Sequence, residues 1–415
     1  MDQNIQICKR CLYSNLHPLG ITFNTEGVCS GCEIFEEKNT LDWKQRWLQL
    51  EKKIKPYKSK KKNYDCIIPV NGGNDSYFIV HLVKNKLKLN PLLVSYNKYF
   101  NTPLGIKNLS NLRIKFDVDI IYQNVNPLKI KKITRHTFNE LKSIYWPILA
   151  GSTAFPVQTA INFKIPLIIW GAHQGVEQVG MFSHEQEVEM SRRYREDHDL
   201  FTNDETNLNK LENDLTDDDL WQFKYPDDKS INSIGVRGIY LSNFVRWDPV
   251  AQHIQMIKDY KYQSAKFSRT FDTYDHVDCY NYMNLHDYLK LLKHGYSKVT
   301  DHVCREIRHK RISRDQGINL IRKYELVNPD YLNLFSDWLG LNMNSLQMVI
   351  DRSRDIKYWE EYDLNKFKFN GISKNFNTTI DNDKTQKLSD YFISNSKISL
   401  NKKPKYITFG KGFEN

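Results

Sequence analysis

Short apolar runs alternate with segments of helical spacing between residues 63 and 200. The runs at 66–70, 91–96, 119–122 and 165–170 have the length and apolar content of buried strands. The segments between them place apolar side chains three and four positions apart, as amphipathic helices do. Strands that alternate with helices are typical of a parallel sheet, so we predict an α/β domain over 63–200.

The first predicted strand ends in a turn with two adjacent glycines, and a predicted helix follows it. The turn has the sequence Asn71-Gly72-Gly73-Asn74-Asp75-Ser76. Glycines let the backbone turn sharply and approach a ligand closely, and the N–H groups of a first helical turn attract anions. The common phosphate loop is excluded, because no lysine follows these glycines. We predict an anion-binding turn, with an ordinary strand-to-helix connection as the alternative.

Further candidate site residues follow two later strands. Ligands of parallel sheets bind at the carboxyl ends of the strands, so we expect these residues to lie near the glycine turn. They are Ser95, Tyr96, Asn97, Gly171, His173 and Glu177. His173 is a candidate catalytic residue, and the alternative is a loop histidine with a structural hydrogen bond.

Four of the seven cysteines lie in two pairs near the N-terminus. Cys8 and Cys11 form one C-x2-C pair, and Cys29 and Cys32 form the other. This arrangement is typical of a structural zinc site with four thiolate ligands. The segment 1–35 is too short to bury a core of its own, so a metal would supply the missing stability. A redox or iron–sulfur site is the alternative.

Composition divides the remaining chain into four segments. We predict a helix with a basic linker at 36–62, an acidic polar insertion at 201–234, a mostly helical substrate or partner region at 235–365, and a polar, flexible tail at 366–415.

The mostly helical region carries charged side chains at helical spacing. His286, His302, Arg305 and Arg308 are the candidates for function. A row of this kind is usually a solvated helix face. The alternative is a substrate platform, on which Arg305 and Arg308 bind a carboxylate, a diphosphate or sugar hydroxyls, with His286 or His302 as general base.

The formal net charge of +11 favours an anionic ligand such as ATP, a nucleotide sugar or RNA. No apolar run is long enough to span a membrane, and the first residues do not resemble a signal peptide. The cysteine pattern suits a metal in a reducing compartment better than disulfides. We therefore expect a cytoplasmic protein.

Taken together, the motifs resemble a known family. The glycine turn resembles the SGGxDS motif of the PP-loop ATP pyrophosphatases, with Asn71 in place of the first serine. The four-cysteine segment, IIPVNGGNDSY, FNTPLGIKNL, IPLIIWGAHQG and FSDWLGLN resemble, in the same order, the bacterial WbpG/PseA-like N-acetyl sugar amidotransferases. The resemblance extends to about residue 365. It implies a PP-loop domain similar to the adenine nucleotide alpha hydrolases.

This resemblance implies roles for the residues of the turn. Gly72 and Gly73 would cradle the pyrophosphate of ATP through backbone N–H groups. Ser76 would donate a hydrogen bond to a phosphate oxygen, and Asp75 would help to hold Mg²⁺. Asn71 can still donate a hydrogen bond, so we expect an altered phosphate contact. The other candidates for ATP binding are Asn74, Ser95, Tyr96 and Gly171.

The implied reaction converts the acetamido group of a sugar into an acetamidino group. ATP would adenylate the amide oxygen, and ammonia would displace AMP from the O-adenylyl imidate. In such families ammonia comes from a separate glutaminase through a cyclase-like subunit resembling those of imidazole glycerol phosphate synthase. The substrate would be a nucleotide sugar or a nonulosonic acid, in LPS, O-antigen or capsule assembly. The G-x-C-x-G at 27–31 lies in the cysteine segment, so we expect no glutaminase within this chain.

Two other functions remain open. A tRNA-modifying PP-loop enzyme would also suit the cysteine segment and the positive charge. Thiolation usually requires cysteines beside the loop, and Cys66 lies on the strand itself, whereas a lysidine-type tRNA ligase needs no cysteine. We regard nucleic acid as the less favoured ligand. The third function is a nucleotide-binding scaffold in which Asn71 and Asn74 have blunted catalysis.

Overall fold

The computed structural model describes most of the chain. A central parallel sheet, an N-terminal cysteine module and a mostly helical region make up the structure. The described residues are 5–58, 63–98, 101–205, 207–208, 215–377 and 388–396.

Five parallel strands form the central sheet. They are β1 (Cys66–Pro69), β2 (Pro91–Tyr96), β3 (Ile120–Gln123), β4 (Leu167–Trp170) and β5 (Arg237–Tyr240). Their order across the sheet is β3-β2-β1-β4-β5. The strand order reverses between β1 and β4, which is where parallel sheets bind ligands, beyond the carboxyl ends of the strands.

Strand β5 lies outside the segment 63–200 in which the sequence predicts the sheet. It pairs in parallel with β4, with Ile168 opposite Gly238. A Cβ atom at Gly238 would lie 2.6 Å from Met190 Cβ, so the close approach of the segment before β5 needs a glycine here. The strand has only four residues and begins with an exposed arginine. Its local pattern is therefore too weak to predict it, and its pairing with β4 decides its conformation.

One helix begins within the cysteine module and contains Cys32, and a second helix follows it. They are α1 (Ser30–Glu37) and α2 (Trp43–Ile54), and α2 lies within the segment predicted as a helix with a basic linker. The carboxylate of Asp42 starts α2, because it accepts hydrogen bonds from the N–H groups of Lys44 and Gln45 at 3.0 Å.

The helices between β1 and residue 205 flank the sheet. They are α3 (Asn74–Val80, continued by a π-helical segment His81–Lys86), α4 (Pro103–Phe116), α5 (Pro127–Leu141), α6 (Trp146–Phe163), α7 (Gln174–Glu177) and α8 (Arg192–Tyr194). Thr102 and Asn126 cap α4 and α5 by accepting first-turn N–H groups at 3.0 and 2.9 Å. Pro103 and Pro127 follow these caps, at a position where the helix needs no N–H donor.

The region after residue 215 is mostly helical and ends in a hairpin. Its elements are α9 (Asp217–Leu220), α10 (Asp228–Ile234), α11 (Pro249–Tyr260), α12 (Tyr280–His294), α13 (Lys298–Arg308), α14 (Arg314–Tyr324), α15 (Leu332–Leu339), α16 (Met343–Asp351), and the antiparallel strands β6 (Trp359–Asp363) and β7 (Lys366–Phe369). None of the described helices is both long and apolar enough to cross a membrane.

Two apolar cores cover the two faces of the sheet. Neighbouring residues of a strand point to opposite faces, so Ile68 and Leu93 belong to one core and Ile67 and Leu92 to the other. The first core includes buried residues of the cysteine module, and the second includes the apolar face of α12. The sheet therefore holds both other parts of the chain in place.

Part of the predicted polar tail packs against the helical region. Phe392 is buried, with its ring centroid 5.0 Å from that of Phe271. Asn395 accepts a hydrogen bond from the N–H of Ser264 at 2.9 Å. The remainder of the tail, 378–387 and 397–415, lies outside the described residues.

The predicted fold class is confirmed. The sheet is parallel with helices on its faces, the four cysteines cluster at the N-terminal end, and the region after β5 is mostly helical.

Glu325, directly after α14, makes the stability depend on pH. Burial raises its pKa from 4.5 to about 7, although its hydrogen bond with Ser373 opposes this. The folded state therefore binds the proton of the Glu325 carboxyl group more tightly than the unfolded chain does. The stability that this group contributes is fully present below about pH 4.5 and is lost as the pH rises through about 7.

We expect Glu325→Gln to flatten this dependence. Between pH 5 and 8 the wild type should lose ~1–3 kcal/mol of stability from this group, and the variant should not. Thermal unfolding at both pH values measures the difference. The exposed Glu26→Gln is the control, and an equal pH dependence in wild type and Glu325→Gln would contradict the assignment.

Candidate active site

One cavity of about 880 Å³ lies between the carboxyl edge of the sheet, the cysteine module and the helical region. Asn71, Gly73, Asn74 and Asp75 of the glycine turn contribute to its lining. The volume is near the upper end of the range for small-molecule sites. The position is the one that the reversal of strand order predicts for a ligand.

The glycine turn is closed by its own polar side chains. Asn71 Oδ1 accepts hydrogen bonds from the N–H of Gly73 and the hydroxyl of Ser76, both at 2.9 Å. Ser76 Oγ in turn accepts the N–H of Asn71 at 3.1 Å. The asparagine that replaces the expected serine therefore has a structural role, and the buried Ser76 hydroxyl donates to it.

Gly72 occupies a position that only glycine fits well. Its φ is +79°, and a Cβ atom there would lie 2.9 Å from Leu109 Cβ on α4. The turn therefore packs directly on α4. Its neighbours in α3 present first-turn N–H groups that have no acceptor within that helix. This geometry suits an anion at the start of α3.

Asp75 is the exposed carboxylate of the turn and faces the cavity. Although the side chain reaches the cavity, desolvation by the surrounding walls raises its pKa to about 7; the negative charge of Asp275 adds to this effect, and Arg305 opposes it. A carboxylate among other carboxylates favours a bound cation. The chemistry of this donor therefore fits Mg²⁺, as the sequence predicts.

Glu177, at the end of α7, lines the same cavity. Its carboxylate pairs with Lys38, which is buried and also donates to the carbonyl of Trp247 at 3.1 Å. Burial would raise the pKa of Glu177, but Lys38 and His184 hold it below its usual range. This ion pair joins the cysteine module to the segment after β4.

His302 and Arg305 of α13 both reach the cavity and are held by acidic neighbours. His302 Nε2 lies 3.0 Å from Asp275 and its Nδ1 lies 2.7 Å from the hydroxyl of Thr270. Both ring nitrogens are thus occupied. Arg305 donates to the buried Asp272 at 2.8 Å. These contacts fix the wall of the cavity that faces Asp75.

His286 of α12 also lines the cavity, but its ring is in a different state. It stacks on Tyr145 with a centroid distance of 4.7 Å. Burial, together with Lys293 and Lys298, lowers its pKa well below its usual range. The ring is therefore neutral at pH 7.

Arg308 lines the cavity and connects it to the cysteine module. It donates to the carbonyl of Gln178 at 2.7 Å, and its guanidinium lies 5.2 Å above the ring of Tyr13. A Cβ atom at Gly31 would lie 2.4 Å from its Nη2. Glycine between the third and fourth cysteines thus leaves the space through which Arg308 passes.

Seven residues predicted for this site do not belong to the cavity lining: Gly72, Ser76, Ser95, Tyr96, Asn97, Gly171 and His173. Ser95 and Tyr96 are buried in β2, and a Cβ atom at Gly171 would meet Ile79 at 2.9 Å. His173 is also buried, 4.3 Å from the ring of Tyr194, and burial lowers its pKa to about 4. These positions are close to the sheet edge but point into packed surroundings.

The sequence prediction did not include several cavity residues of the helical region. They are Tyr274, Asp275, His276, Lys293 and Lys298. Burial would raise the pKa of Asp275, but His276 and Lys298 hold it well below its usual range. The only local indication of these residues is the density of Asp and His over 272–278.

The four N-terminal cysteines form a metal-binding geometry. Their sulfur atoms all lie within 4.8 Å of one another and are buried. The Sγ distances are 3.9 Å for Cys8 and Cys32 and 3.6 Å for Cys11 and Cys29. A regular tetrahedron with zinc–sulfur bonds of about 2.3 Å has sulfur separations of about 3.8 Å. The cluster therefore fits a zinc ion.

A second group of possible ligands consists of His276, Asp278 and Cys279, within 4.8 Å of one another. Lys98 Nζ already lies 2.6 Å from Asp278 and 3.4 Å from Cys279 Sγ. Lys298 contacts His276 in the same way. Each of the three side chains is thus already in contact with the ammonium group of a lysine.

Comparisons with known proteins found a family model that matches part of the C-terminal half. Residues 258–373 match the family model described as the C-terminal domain of WbpG-like LPS biosynthesis proteins. An uncharacterized protein, MJ1599, of Methanocaldococcus jannaschii is 26% identical over 121 residues. That match covers 28% of this chain and 42% of MJ1599, so it spans less than half of that relative.

Three solved structures are similar at a low level, each with a TM-score of 0.28. The NH3-dependent NAD synthetase of Campylobacter jejuni has 13% identity and covers 34% of this chain and 62% of its own. The NMN synthetase of Francisella tularensis has 12% identity, and the match covers 52% of this chain and 94% of that protein. The U34-tRNA thiolase NcsA of Methanococcus maripaludis, solved with its [4Fe-4S] cluster, has 12% identity, and the match covers 74% of this chain and 87% of that protein.

We expect one zinc ion per chain at the cysteine cluster. Cys29→Ser should lose the metal and lower the melting temperature by ~5 °C or more, because the module lacks a core of its own. Metal analysis and thermal unfolding measure both effects. Cys279→Ser removes a thiol outside the cluster and should keep the zinc. Iron with acid-labile sulfide in the wild type would contradict the assignment.

We expect Gly72→Ala to disturb the turn by more than the strain of a positive φ alone would cause, because the added Cβ atom also meets Leu109. The matched control is Gly20→Ala, because Gly20 has a similar φ of +75° but nothing within 4 Å of a Cβ atom. Both variants share the left-handed strain of about 1–2 kcal/mol. Only Gly72→Ala should weaken Mg·ATP binding, by about tenfold or more, in isothermal titration. Equal binding by the two variants would contradict this role.

Proposed function

We propose that the chain, whose residues 258–373 match the WbpG-like model, is an ATP-dependent amidotransferase that converts the N-acetyl group of a sugar into an acetamidino group. One observation carries this proposal. The glycine turn, with its exposed Asp75, lines the same cavity as the histidine and arginine side chains of α12 and α13. An activating nucleotide and a second substrate could thus meet in one enclosed volume.

The first step would activate the amide. The amide oxygen attacks the α-phosphorus of ATP, the bond to the bridging oxygen breaks, and pyrophosphate leaves with its electron pair. The N–H groups at the start of α3 are suited to the departing pyrophosphate. Mg²⁺ held by Asp75 would neutralise phosphate charge. The protein's main contribution is to hold the two reactants in line.

The second step would replace oxygen by nitrogen. Ammonia adds to the imidate carbon, a proton is lost from that nitrogen, and AMP leaves with the former amide oxygen. His286 is the better candidate for accepting the proton, since both nitrogens of His302 are already in contact with Thr270 and Asp275. Arg305 would stabilise negative charge on the departing AMP.

The ammonia would come from a partner. We propose a glutaminase and a cyclase-like subunit as the source, a nucleotide sugar or nonulosonic acid as substrate, and the bacterial cytoplasm as the location. Zinc is the proposed metal at the cysteine cluster, where it would have a structural role. Tyr13 of the cysteine module lines the same cavity as Asp75 and Arg305. The module therefore forms one wall of the proposed reaction cavity, which supports a structural role for its metal.

The decisive experiment follows AMP, pyrophosphate and the sugar in one reaction. Purified protein receives ATP, Mg²⁺ and an ammonium salt, with or without N-acetylated nucleotide sugars. We expect AMP formation coupled to a product lighter by about one mass unit, since C=O becomes C=NH. Asp75→Asn should reduce AMP formation by about a hundredfold. The exposed Asp227→Asn is the control.

Other outcomes favour the alternative functions. AMP formation that depends on tRNA but not on any sugar would indicate an RNA-modifying enzyme. ATP binding without turnover, unchanged by added ammonium and by Asn71→Ser, would indicate a nucleotide-binding scaffold. The amidotransferase requires both AMP and the lighter sugar.

A further inference from the structure

The cavity has a second group of basic side chains, which is separate from the glycine turn. His286, Lys290, Lys293 and His294 lie on α12 and contribute to the lining. The charges that act most strongly on Asp75 are those of Asp275, Arg305, Asp272 and Glu177. Those that act on His294 are Lys293, Lys290 and His17.

Lys293 differs from the other lysines around the cavity. Lys290 pairs with Asp301, Lys298 lies 3.0 Å from Asp275, and Lys98 lies 2.6 Å from Asp278. In the part of the chain that the structure describes, Lys293 has no carboxylate within ion-pair distance. Burial lowers its pKa to about 8, and an ammonium group without a counter-ion is costly in such surroundings.

Two neutral histidines line the same cavity: His294 follows Lys293 in the chain, and His17 lies close enough to His294 to affect its pKa. Burial lowers the pKa of both His17 and His294 to about 3. His17 Nδ1 accepts the N–H of Leu19 at 3.2 Å, so the ring proton is assigned to Nε2. That Nε2 is buried and has no hydrogen-bond partner among the described residues. A buried donor without an acceptor is costly, and an oxygen atom of a ligand would supply the missing acceptor.

We propose that Lys293, His294 and His17 form an anion-binding subsite for the second substrate. The ligand group is a phosphate or carboxylate oxygen cluster of the N-acetylated sugar, held away from the amide that reacts at the glycine turn. This assignment rests on the proposed function. It gives the cysteine module a direct part in substrate binding through His17. It also means that the charge of the sugar, not its acetamido group alone, selects the substrate.

The test measures binding rather than turnover. The full-length, zinc-loaded protein is saturated with Mg²⁺ and α,β-methylene-ATP, which cannot transfer AMP. It is then titrated calorimetrically with N-acetylglucosamine 1-phosphate, N-acetylneuraminic acid and neutral N-acetylglucosamine. Lys293→Gln removes the charge, Lys293→Arg retains it, and the exposed Lys107→Gln controls for net charge.

We expect Lys293→Gln to weaken the binding of at least one anionic sugar about tenfold or more, with Lys293→Arg closer to wild type. The affinities for neutral sugar and for the ATP analogue should change less than about twofold. A dependence seen only with the phosphate or only with the carboxylate identifies the group that is bound. Both results support the subsite.

Three results would overturn it. They are equal anion binding by wild type and Lys293→Gln, no binding of either anionic sugar, and a parallel loss of affinity for the ATP analogue. The last would assign Lys293 to the nucleotide site. Anion binding through Lys293 in a protein that forms no AMP would leave the subsite intact and count against the amidotransferase alone.

Discussion

The reversal of strand order between β1 and β4 is the constraint on which the site depends. Chain connections leave these two neighbouring strands in opposite directions across the sheet, and a crevice opens between them at the carboxyl edge. The glycine turn follows β1 and the segment with Glu177 follows β4, so both reach one cavity. The helical region and the cysteine module close that cavity from the other sides.

Charge pairing organises the walls of the cavity. Buried charges are costly unless they are paired, and most of those around the cavity are. Lys38 pairs with Glu177, Arg305 with Asp272, and Lys290 with an aspartate of α13. Among the described residues that line the cavity, the charged side chains without an ion pair are Asp75, Asp199, Lys293 and Arg308. Asp75 is the one that belongs to the glycine turn, where a cation would sit, and Lys293 is the one on α12 that we assign to an anion.

The cysteine module is joined to this system at several points. Ser30 donates to the carbonyl of Val179 at 2.7 Å, and Arg308 donates to the neighbouring carbonyl of Gln178. Gly31 leaves the room that Arg308 needs. A metal that orders the cysteines would therefore also order the segment after β4. A structural metal and the geometry of the cavity are thereby linked through a few direct contacts.

The sequence by itself determined the local elements: the apolar strands, the glycine turn and the cysteine spacing. Each depends on residues close together in the chain, where backbone conformation and periodicity leave a pattern. Tertiary structure alone decided the rest. The residues Arg237–Tyr240 become a strand only by pairing with β4, and Arg308 reaches the cysteine module only because Gly31 leaves room for it. Which histidines and lysines face the cavity depends on packing between distant segments, since a charged row along a helix has the same spacing whether it faces solvent or a ligand.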